Sequence, residues 1–205
     1  MPRAFREEER VVIRERLLSA GRELFSRYGL RKTTVEDITR AAGIAKGTFY
    51  LFFPSKEALY GEVLLSVIPE MVERLLSRSF GRTMDVREAL ILYQKELVRL
   101  IEEDELVRAI TADRGSWKDL FAADWNEYRR RGMEALRPLV DSIRAAQARG
   151  EMVEGDPGEL VQLLGLIKIL PLYKDQISPE LYPRLVDRVA QVIADGLTCP
   201  ARRKG

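Results

Sequence analysis

Five consecutive residues, 46–50 (KGTFY), combine side chains that suit contact with a charged polymer. Lys46 carries a positive charge, Thr48 and Tyr50 carry hydroxyl groups, and Gly47 allows another backbone to come close. Ammonium and hydroxyl groups are donors that proteins use on the phosphates and base edges of duplex DNA. The segment therefore predicts a short surface that faces DNA. A solvated short helix in an ordinary helical bundle is the simpler alternative.

Neighbouring elements must hold this segment, because helices of about eight residues are not stable alone. Hydrophobic spacing predicts one helix over 35–42, which ends at Gly43, and a second over 46–53, which ends before Pro54. Gly43 supplies a tight turn, and the pair has helix-turn-helix geometry with the second helix presented outward. The apolar residues predicted to anchor it are Ile38, Ala42, Ile44, Phe49 and Phe52, packed against Leu17, Leu24 and Phe25.

Polar residues also flank the predicted DNA-facing helix. Thr33 or Thr34 can cap the helix over 35–42, and Glu36 or Asp37 can complete a capping box. Lys56 falls in the first turn of the next predicted helix. We expect Lys56 to face the flanking DNA backbone, and Thr34 to be able to do the same.

Positive charge is concentrated in the N-terminal part of the chain. Residues 1–60 contain 12 lysines and arginines against 8 aspartates and glutamates, whereas the rest contains 22 against 24. A basic N-terminal quarter on a mildly acidic remainder suggests an anionic partner for the first part only. A chance fluctuation of charge would look similar, so the charge pattern alone is a weak signal.

The composition argues against an enzyme. The chain has no histidine, which removes His-based triads and the usual metal sites, and one cysteine, which rules out an internal disulfide. No phosphate-binding loop, nucleophile elbow or metal motif occurs in the sequence. We therefore expect no catalytic residue, no metal and no cofactor.

Helical periodicity extends through nearly the whole chain and no segment reads as a strand, which predicts an all-α protein of about nine helices. Gly29 is predicted to end the first helix, and Ser55 to cap a fourth that contains Pro69, where a kink is expected. Asp85, Asp156 and Ser178 mark further starts, and a short helix is predicted over 105–114. A long helix is predicted from Ser116 to Arg149, bent near Gly132 or Pro138.

Residues 13–65 resemble the DNA-binding head of the tetracycline-repressor (TetR) family. The matching residues are Leu17, Leu18, Ala20, Leu24, Phe25, Gly29, Thr34, Val35, Ile38, Ala42, Gly43, Ile44, Lys46, Gly47, Thr48, Phe49, Tyr50, Phe53, Ser55, Lys56, Glu57 and Leu59. The resemblance implies a DNA-binding domain over 1–55 and a ligand-binding and dimerisation domain over 56–205. It also implies DNA contacts by Thr34, Lys46, Gly47, Thr48, Tyr50 and Lys56, with Phe49 as a packing residue.

One departure from the family pattern concerns the cap of the recognition helix. Family members usually have Ser or Thr where this chain has Ala45. An alanine at that position lacks a side-chain cap that contributes about 1 kcal/mol.

Residues 160–172 are apolar on nearly every face, which predicts a helix buried all round, with core on one side and a second subunit on the other. The resemblance implies that the last two helices pair with their symmetry mates in a homodimer. A purely intramolecular core is the alternative. The predicted interface residues are Leu163, Gly165, Ile167, Leu185, Val189 and Ile193.

An aromatic stripe follows positions i, i+4, i+8 and i+11 from Trp117 to Tyr128. Core packing is the simpler interpretation. The wall of an apolar ligand cavity is the functional one, and the family resemblance supports it. The predicted pocket residues are Tyr93, Trp117, Phe121, Trp125, Tyr128 and Lys168.

The functional hypothesis is a DNA-binding repressor, released from a pseudo-palindromic operator when a small, largely apolar ligand binds. A regulator controlled by a protein partner, or by no ligand, is one alternative. A helical enzyme or binding protein whose N-terminal segment only imitates the motif is another. The N-terminal residues lack a secretory apolar core, and no stretch is long enough to cross a bilayer, so a cytoplasmic location is expected.

Overall fold

The computed structural model describes residues 5–112 and 125–199, without the side chains of residues 109, 110, 112 and 125. These ranges contain ten α-helices, one 3-10 helix and no strand, which confirms the all-α prediction. None of the helices in these ranges is long and apolar enough to span a membrane. The helices are α1 (Glu7–Lys32), α2 (Val35–Ala42), α3 (Lys46–Phe49), α4 (Lys56–Arg78), α5 (Val86–Glu103), α6 (Glu105–Ala112), α7 (Trp125–Ala135), α8 (Arg137–Ala148), α9 (Pro157–Leu164) and α10 (Leu181–Leu197), with the 3-10 helix Gly165–Gln176 before α10.

The chain divides into two compact units. Within the described ranges, the first unit comprises residues 5–67 and 125–128, and the second comprises residues 68–112 and 129–199. The division falls inside α4, after Val67, and inside α7, after Tyr128. Both helices therefore contribute residues to each unit.

The first unit packs α1, α2 and α3 around the N-terminal part of α4. Gly29 has φ 71° and ψ 170°, so α1 is interrupted at the glycine that was predicted to end it, and three more helical residues follow. Thr33 then donates its hydroxyl to the Gly29 carbonyl oxygen over 2.8 Å, which stabilises this bend. The buried apolar residues are Leu17, Ala20, Phe25, Leu30, Ile38, Ala42, Phe49, Phe53, Leu59, Tyr60, Val63, Leu64 and Val67.

Helix α5 is central to the second unit and packs against α10, α6 and the 3-10 helix. Gln94 lies at the contact with α10, where its amide nitrogen donates to the Ala190 carbonyl oxygen over 3.1 Å. Ion pairs from Arg87 to Asp195 and from Lys95 to Asp187 join the exposed edges of the same two helices. An apolar seam with charged margins thus fixes α10 on α5.

Three helix starts follow the capping residues predicted from the sequence. The Asp85 carboxylate accepts a bond from the Glu88 backbone nitrogen over 2.9 Å, and the Asp156 carboxylate accepts one from Glu159 over 3.0 Å. The Ser55 hydroxyl accepts a bond from the Ala58 backbone nitrogen over 3.2 Å at the start of α4. Each cap satisfies an amide that the helix itself leaves unpaired.

The long helix predicted over 116–149 is broken at Leu136, whose φ of −84° and ψ of 0° separate α7 from α8. Pro138 causes the break, because its ring cannot donate a hydrogen bond and crowds the preceding turn. The break divides one predicted helix into two, and the described ranges contain ten α-helices where about nine were expected for the chain. The predicted start at Ser116 lies outside the described residues.

The α-helix predicted over 160–172 is shorter than expected. The α-helix ends at Leu164, and a 3-10 helix continues from Gly165 through Pro171 to Gln176. Glycine is a poor helix former, and Pro171 cannot donate to the carbonyl of Ile167, so α-helical bonding is not maintained. Within the single chain Ile167 is buried, whereas Leu163, Leu166, Ile169, Leu172 and Tyr173 are exposed.

The buried Phe49 predicts a strong effect on stability. Phe49→Ala should lower the free energy of unfolding by about 3–5 kcal/mol, because it removes a fully buried ring and leaves a cavity. Leu51→Ala, two residues away on a side chain that is 58% exposed, is the matched control and should change it by less than about 0.5 kcal/mol. Urea unfolding followed by circular dichroism measures both. Similar losses for the two variants would contradict the packing described.

Candidate nucleic-acid interface

The turn between α2 and α3 is built on Gly43. Its φ of 68° and ψ of 36° lie in the left-handed region, which side chains with a Cβ rarely adopt. The Gly43 amide donates to the Arg40 carbonyl oxygen over 3.3 Å, and the Ile44 amide donates to the Thr39 carbonyl oxygen over 3.0 Å. These bonds end α2 and direct the chain into α3 within three residues, as helix-turn-helix geometry requires.

Helix α3 is a single turn, Lys46–Phe49, rather than the helix predicted over 46–53. The chain continues as turns, in which the Leu51 amide donates to the Thr48 carbonyl oxygen over 3.1 Å and the Phe53 amide donates to that of Phe49 over 3.0 Å. Ala45 stands at the N-cap and makes no side-chain capping bond, as its sequence predicts. A helix this short needs support from behind.

Aromatic residues supply that support. Phe49 and Phe53 are buried, and their ring centroids lie 6.0 Å apart. Phe52 is only half-buried, and the Arg10 guanidinium lies 5.1 Å from its ring centroid. Ile38, Ala42, Leu17 and Phe25 are buried as predicted, whereas Ile44 and Leu24 are also only half-buried.

The polar side of α3 lies on the surface. Lys46 and Gly47 are exposed, Thr48 is half-buried, and Tyr50 is 51% exposed at the end of the helix. The Tyr50 ring meets Phe49 edge to face, with centroids 5.3 Å apart. The polar groups expected to face DNA are therefore accessible on a short helix anchored by buried rings.

Lys46 forms an ion pair with Glu36 of α2. The ammonium group lowers the pKa of the Glu36 carboxyl, and the carboxylate in turn raises the pKa of Lys46. Both side chains are more than half exposed, so the pair is accessible to solvent and salt. A phosphate group could therefore replace the carboxylate as the partner of Lys46.

Thr34 caps α2 through a reciprocal capping box with Asp37. The Thr34 hydroxyl accepts a bond from the Asp37 backbone nitrogen over 3.1 Å, and the Asp37 carboxylate accepts one from the Thr34 backbone nitrogen over 3.2 Å. The Thr34 hydroxyl also donates to that carboxylate over 2.5 Å, and this bond lowers the pKa of Asp37. Thr34 rather than Thr33, and Asp37 rather than Glu36, form the capping box that the sequence allowed.

Lys56 is directed into the protein. Its ammonium group donates to the carbonyl oxygens of Leu30 over 2.9 Å and Thr33 over 2.8 Å. These bonds tie the first turn of α4 to the end of α1. A phosphate contact by Lys56, which its position suggested, would have to use the remaining N–H group.

Residues 17–63, which run from within α1 to within α4, match the family model for bacterial regulatory proteins of the tetR family. The segment 17–63 therefore belongs to this family. A solved structure shares the fold: RolR, in complex with its ligand resorcinol, aligns with a TM-score of 0.67 and 20% identity over 92% of this chain and 96% of its own.

Curated relatives of this chain are described as transcriptional regulators. YdgC of Bacillus subtilis, an uncharacterised HTH-type regulator, is 33% identical over 45% of this chain and 49% of its own length. KstR2 of Rhodococcus jostii, an HTH-type transcriptional repressor, is 31% identical over 44% of this chain and 53% of its own. The chain thus matches these two relatives over about half of their length.

The structure describes only some of the predicted ligand-pocket residues. Trp117, Phe121 and the Trp125 side chain lie outside the described residues. Tyr93 is buried in α5, and burial raises the pKa of its hydroxyl. Tyr128 and Lys168 are half-buried, in the first and second units respectively. The pocket remains a prediction.

The residues predicted to form the dimer interface differ in how exposed they are in the single chain. Leu163 is 43% exposed, and Gly165, Leu185, Val189 and Ile193 are half-buried. Ile167 lies inside the second unit.

Sequence reasoning did not identify Glu36 as the partner of Lys46 or Arg10 as the neighbour of Phe52. Lys46 and Glu36 are ten residues apart with a turn between them, so no helical spacing relates them. Arg10 and Phe52 meet only because α1 packs beside the segment after α3. Contacts of this kind depend on tertiary structure, and no local signal predicts them.

The capping box of Thr34 and Asp37 predicts that one substitution changes both the free energy of unfolding and the pKa of Asp37. Thr34→Ala should lower the free energy of unfolding by about 1 kcal/mol and raise the pKa of Asp37, because the hydroxyl that holds its carboxylate is lost. Thr34→Ser keeps the hydroxyl and should resemble the wild type. Carboxyl carbon NMR titrations and urea unfolding measure the two effects.

The contribution of Asp37 to the free energy of unfolding depends on pH, and its lowered pKa gives the direction. The folded pKa of Asp37 lies below its ordinary value, so its contribution to stability is present above that value, about 3.9, and is lost as the pH falls through the folded pKa. The difference between wild type and Thr34→Ala should shrink below about pH 4. A difference independent of pH would contradict the role of the carboxylate.

Proposed function

We propose that this protein is a sequence-specific transcriptional repressor that leaves a pseudo-palindromic operator when a small, largely apolar ligand binds. The observation that carries the proposal is the accessible polar side of α3, supported from behind by buried Phe49, within the segment that matches the tetR family. The match to the named repressor KstR2 over 44% of this chain supports repression rather than activation.

Each exposed residue has a defined role in the proposed complex. Lys46 exchanges Glu36 for a phosphate, and the hydroxyls of Thr48 and Tyr50 donate to base edges or phosphates. Gly47, where an added Cβ would meet nothing within 4 Å, leaves space for the DNA backbone. Thr34 approaches a flanking phosphate, and Lys56 reaches one only through the N–H group that it does not donate to Leu30 and Thr33. In this proposal residues 1–55 bind DNA and residues 56–205 bind the ligand and dimerise.

A homodimer accounts for the apolar surface of the second unit. Helix α10 has a buried stripe that includes Val186 and Ala190, and a second, outer stripe of Leu181, Leu185, Val189, Val192 and Ile193. Exposed apolar residues of the 3-10 helix add to this surface. Dimers with helix-turn-helix motifs bind two half-sites about one DNA turn apart, so a homodimer would explain a pseudo-palindromic operator.

The ligand class follows from the predicted aromatic stripe and from the fold. RolR, which shares the fold, has resorcinol as its ligand, so this architecture can hold a small aromatic molecule. We propose that Tyr93, Trp117, Phe121, Trp125 and Tyr128 line an apolar cavity in the cytoplasmic regulator, with Lys168 able to pair with a carboxylate of the ligand.

DNA recognition is tested by selection from a random duplex pool, followed by binding assays over a range of salt concentrations. The wild type should recover two half-sites whose centres are about 10 base pairs apart. Lys46→Ala should weaken binding and reduce the slope of log K against log salt by about 1, because one phosphate contact is lost. Tyr50→Phe should weaken binding by about 0.5–1.5 kcal/mol with the slope unchanged.

Lys95→Ala is the matched control, because it removes a lysine from α5 in the second unit, where it pairs with Asp187. It should leave operator affinity and salt slope near the wild-type values. Recovery of no preferred sequence would refute the proposed function, and unchanged binding by Lys46→Ala and Tyr50→Phe would remove both from the interface.

The homodimer is tested by sedimentation equilibrium. The wild type should have twice the chain mass of 23.5 kDa, and Leu163→Arg should shift it toward the monomer, because the interface would bury an unpaired charge. Met84→Arg is the control, since Met84 is an apolar residue that is 95% exposed before α5. A dimer that survives Leu163→Arg unchanged would exclude this face as the interface.

A further inference from the structure

Tyr128 lies directly on the backbone of α4. A Cβ atom added to Gly61 would lie 2.5 Å from Cε1, 2.7 Å from Cζ and 2.9 Å from the hydroxyl oxygen of Tyr128. The Tyr128 hydroxyl also donates to the Ala58 carbonyl oxygen over 3.4 Å. Ala58 and Gly61 are three positions apart and so lie on one face of α4. Gly61 is buried, and only a glycine lets the ring come this close.

Two other residues of the same α4 turn, Leu59 and Tyr60, pack against α1. A Cβ atom added to Gly21 would lie 3.1 Å from Cδ2 of Leu59, so α1 also approaches α4 at a glycine. The rings of Phe25 and Tyr60 meet edge to face with centroids 5.0 Å apart. Within the first unit, the start of α4 therefore contacts both α1 and Tyr128 at short distance.

The position of this turn determines the position of the DNA-facing surface. Leu59 and Tyr60 belong to the same buried core as Phe49, and Lys56 bonds the first turn of α4 to the carbonyl oxygens of Leu30 and Thr33. A shift of α4 here would move α1 and the start of α2. Helices α4 and α7 also both continue along the chain into the second unit.

We propose that Tyr128 is a positioning residue, which sets the place of α4 against α1 and so the DNA-binding geometry of α3. This role rests on the proposed function and gives Tyr128 a task other than contact with a ligand. Because α4 and α7 each belong to both units, a change in α7 that lifts the Tyr128 ring from Gly61 would alter α4 directly.

Gly61→Ala and Tyr128→Ala, alone and combined, test the contact. In the wild-type background Gly61→Ala should lower Tm by about 3–10 °C, because the new methyl group overlaps the Tyr128 ring. In the Tyr128→Ala background the same change should raise Tm by about 2–4 °C, since alanine favours a helix interior and the overlap is gone. The expected result is a reversal of sign.

Operator affinity, measured at 20 °C where every variant is folded, tests the positioning role. With the duplex selected by the wild type, Gly61→Ala and Tyr128→Ala should each weaken binding about tenfold, within the usual range of coupling between sites. The salt slope should not change, because no phosphate contact is removed. The double variant should bind within about twofold of Tyr128→Ala, since effects that share one contact do not add.

Gly196→Ala is the matched control, because Gly196 is a glycine of α10 at which an added Cβ would meet nothing within 4 Å. It should raise Tm slightly and leave operator affinity unchanged. A rise of Tm on Gly61→Ala in both backgrounds would show that Tyr128 does not rest on Gly61 and would overturn the proposal.

Two further outcomes separate this proposal from the proposed function. A reversal of the Tm effect with unchanged operator affinity would make the contact structural only and would overturn the positioning role. If the wild type selects no sequence, the proposed function fails and the positioning role fails with it, while the Tm measurements still establish whether Tyr128 packs on Gly61.

Discussion

The burial of the Phe49 ring controls where the polar groups of α3 lie. A helix of four residues has too few internal bonds to form on its own, so its conformation is imposed from outside. Gly43 determines where the chain leaves α2. The buried rings of Phe49 and Phe53 determine how closely α3 packs against the core of the first unit. The positions of Lys46, Thr48 and Tyr50 are thus set by packing behind the helix, and the Glu36 carboxylate is the partner of Lys46. The proposed DNA interface depends on this separation of anchoring and contacting residues.

The ammonium groups of Lys46 and Lys56 already have partners within the protein. Glu36 holds Lys46, and Lys56 is occupied by the carbonyl oxygens of Leu30 and Thr33. Binding to a phosphate would therefore be an exchange for Lys46, with the Glu36 carboxylate left beside the polyanion. In the proposed complex such an exchange would lower affinity for any phosphate backbone, whatever its sequence, and would leave a larger share of recognition to Thr48 and Tyr50.

Local rules predicted most of the helices and the outline of the candidate site. Asp85, Asp156, Ser55 and Thr34 cap helices because short polar side chains satisfy free amides wherever they stand before a helical pattern. The same rules failed where tertiary packing or chain geometry decides. Pro171 shortened a helix that the apolar pattern extended, Pro138 broke a helix where only a bend was predicted, and Glu36 pairs with Lys46 across a turn.

The segment over 160–172 illustrates a limit of hydrophobic patterns. A helix with no polar face is expected to be buried on every side. The pattern does not show whether the residues that bury it belong to the same chain or to a second one. Here Ile167 is covered by the chain itself, while Leu166 and Ile169 are not. The outer stripe of α10 adds a second uncovered apolar surface to the same unit. An isologous interface brings each such surface against its own copy, so one two-fold axis can cover both without a further protein. Apolar surface that one chain cannot bury is therefore the physical reason for a dimer in the proposed repressor.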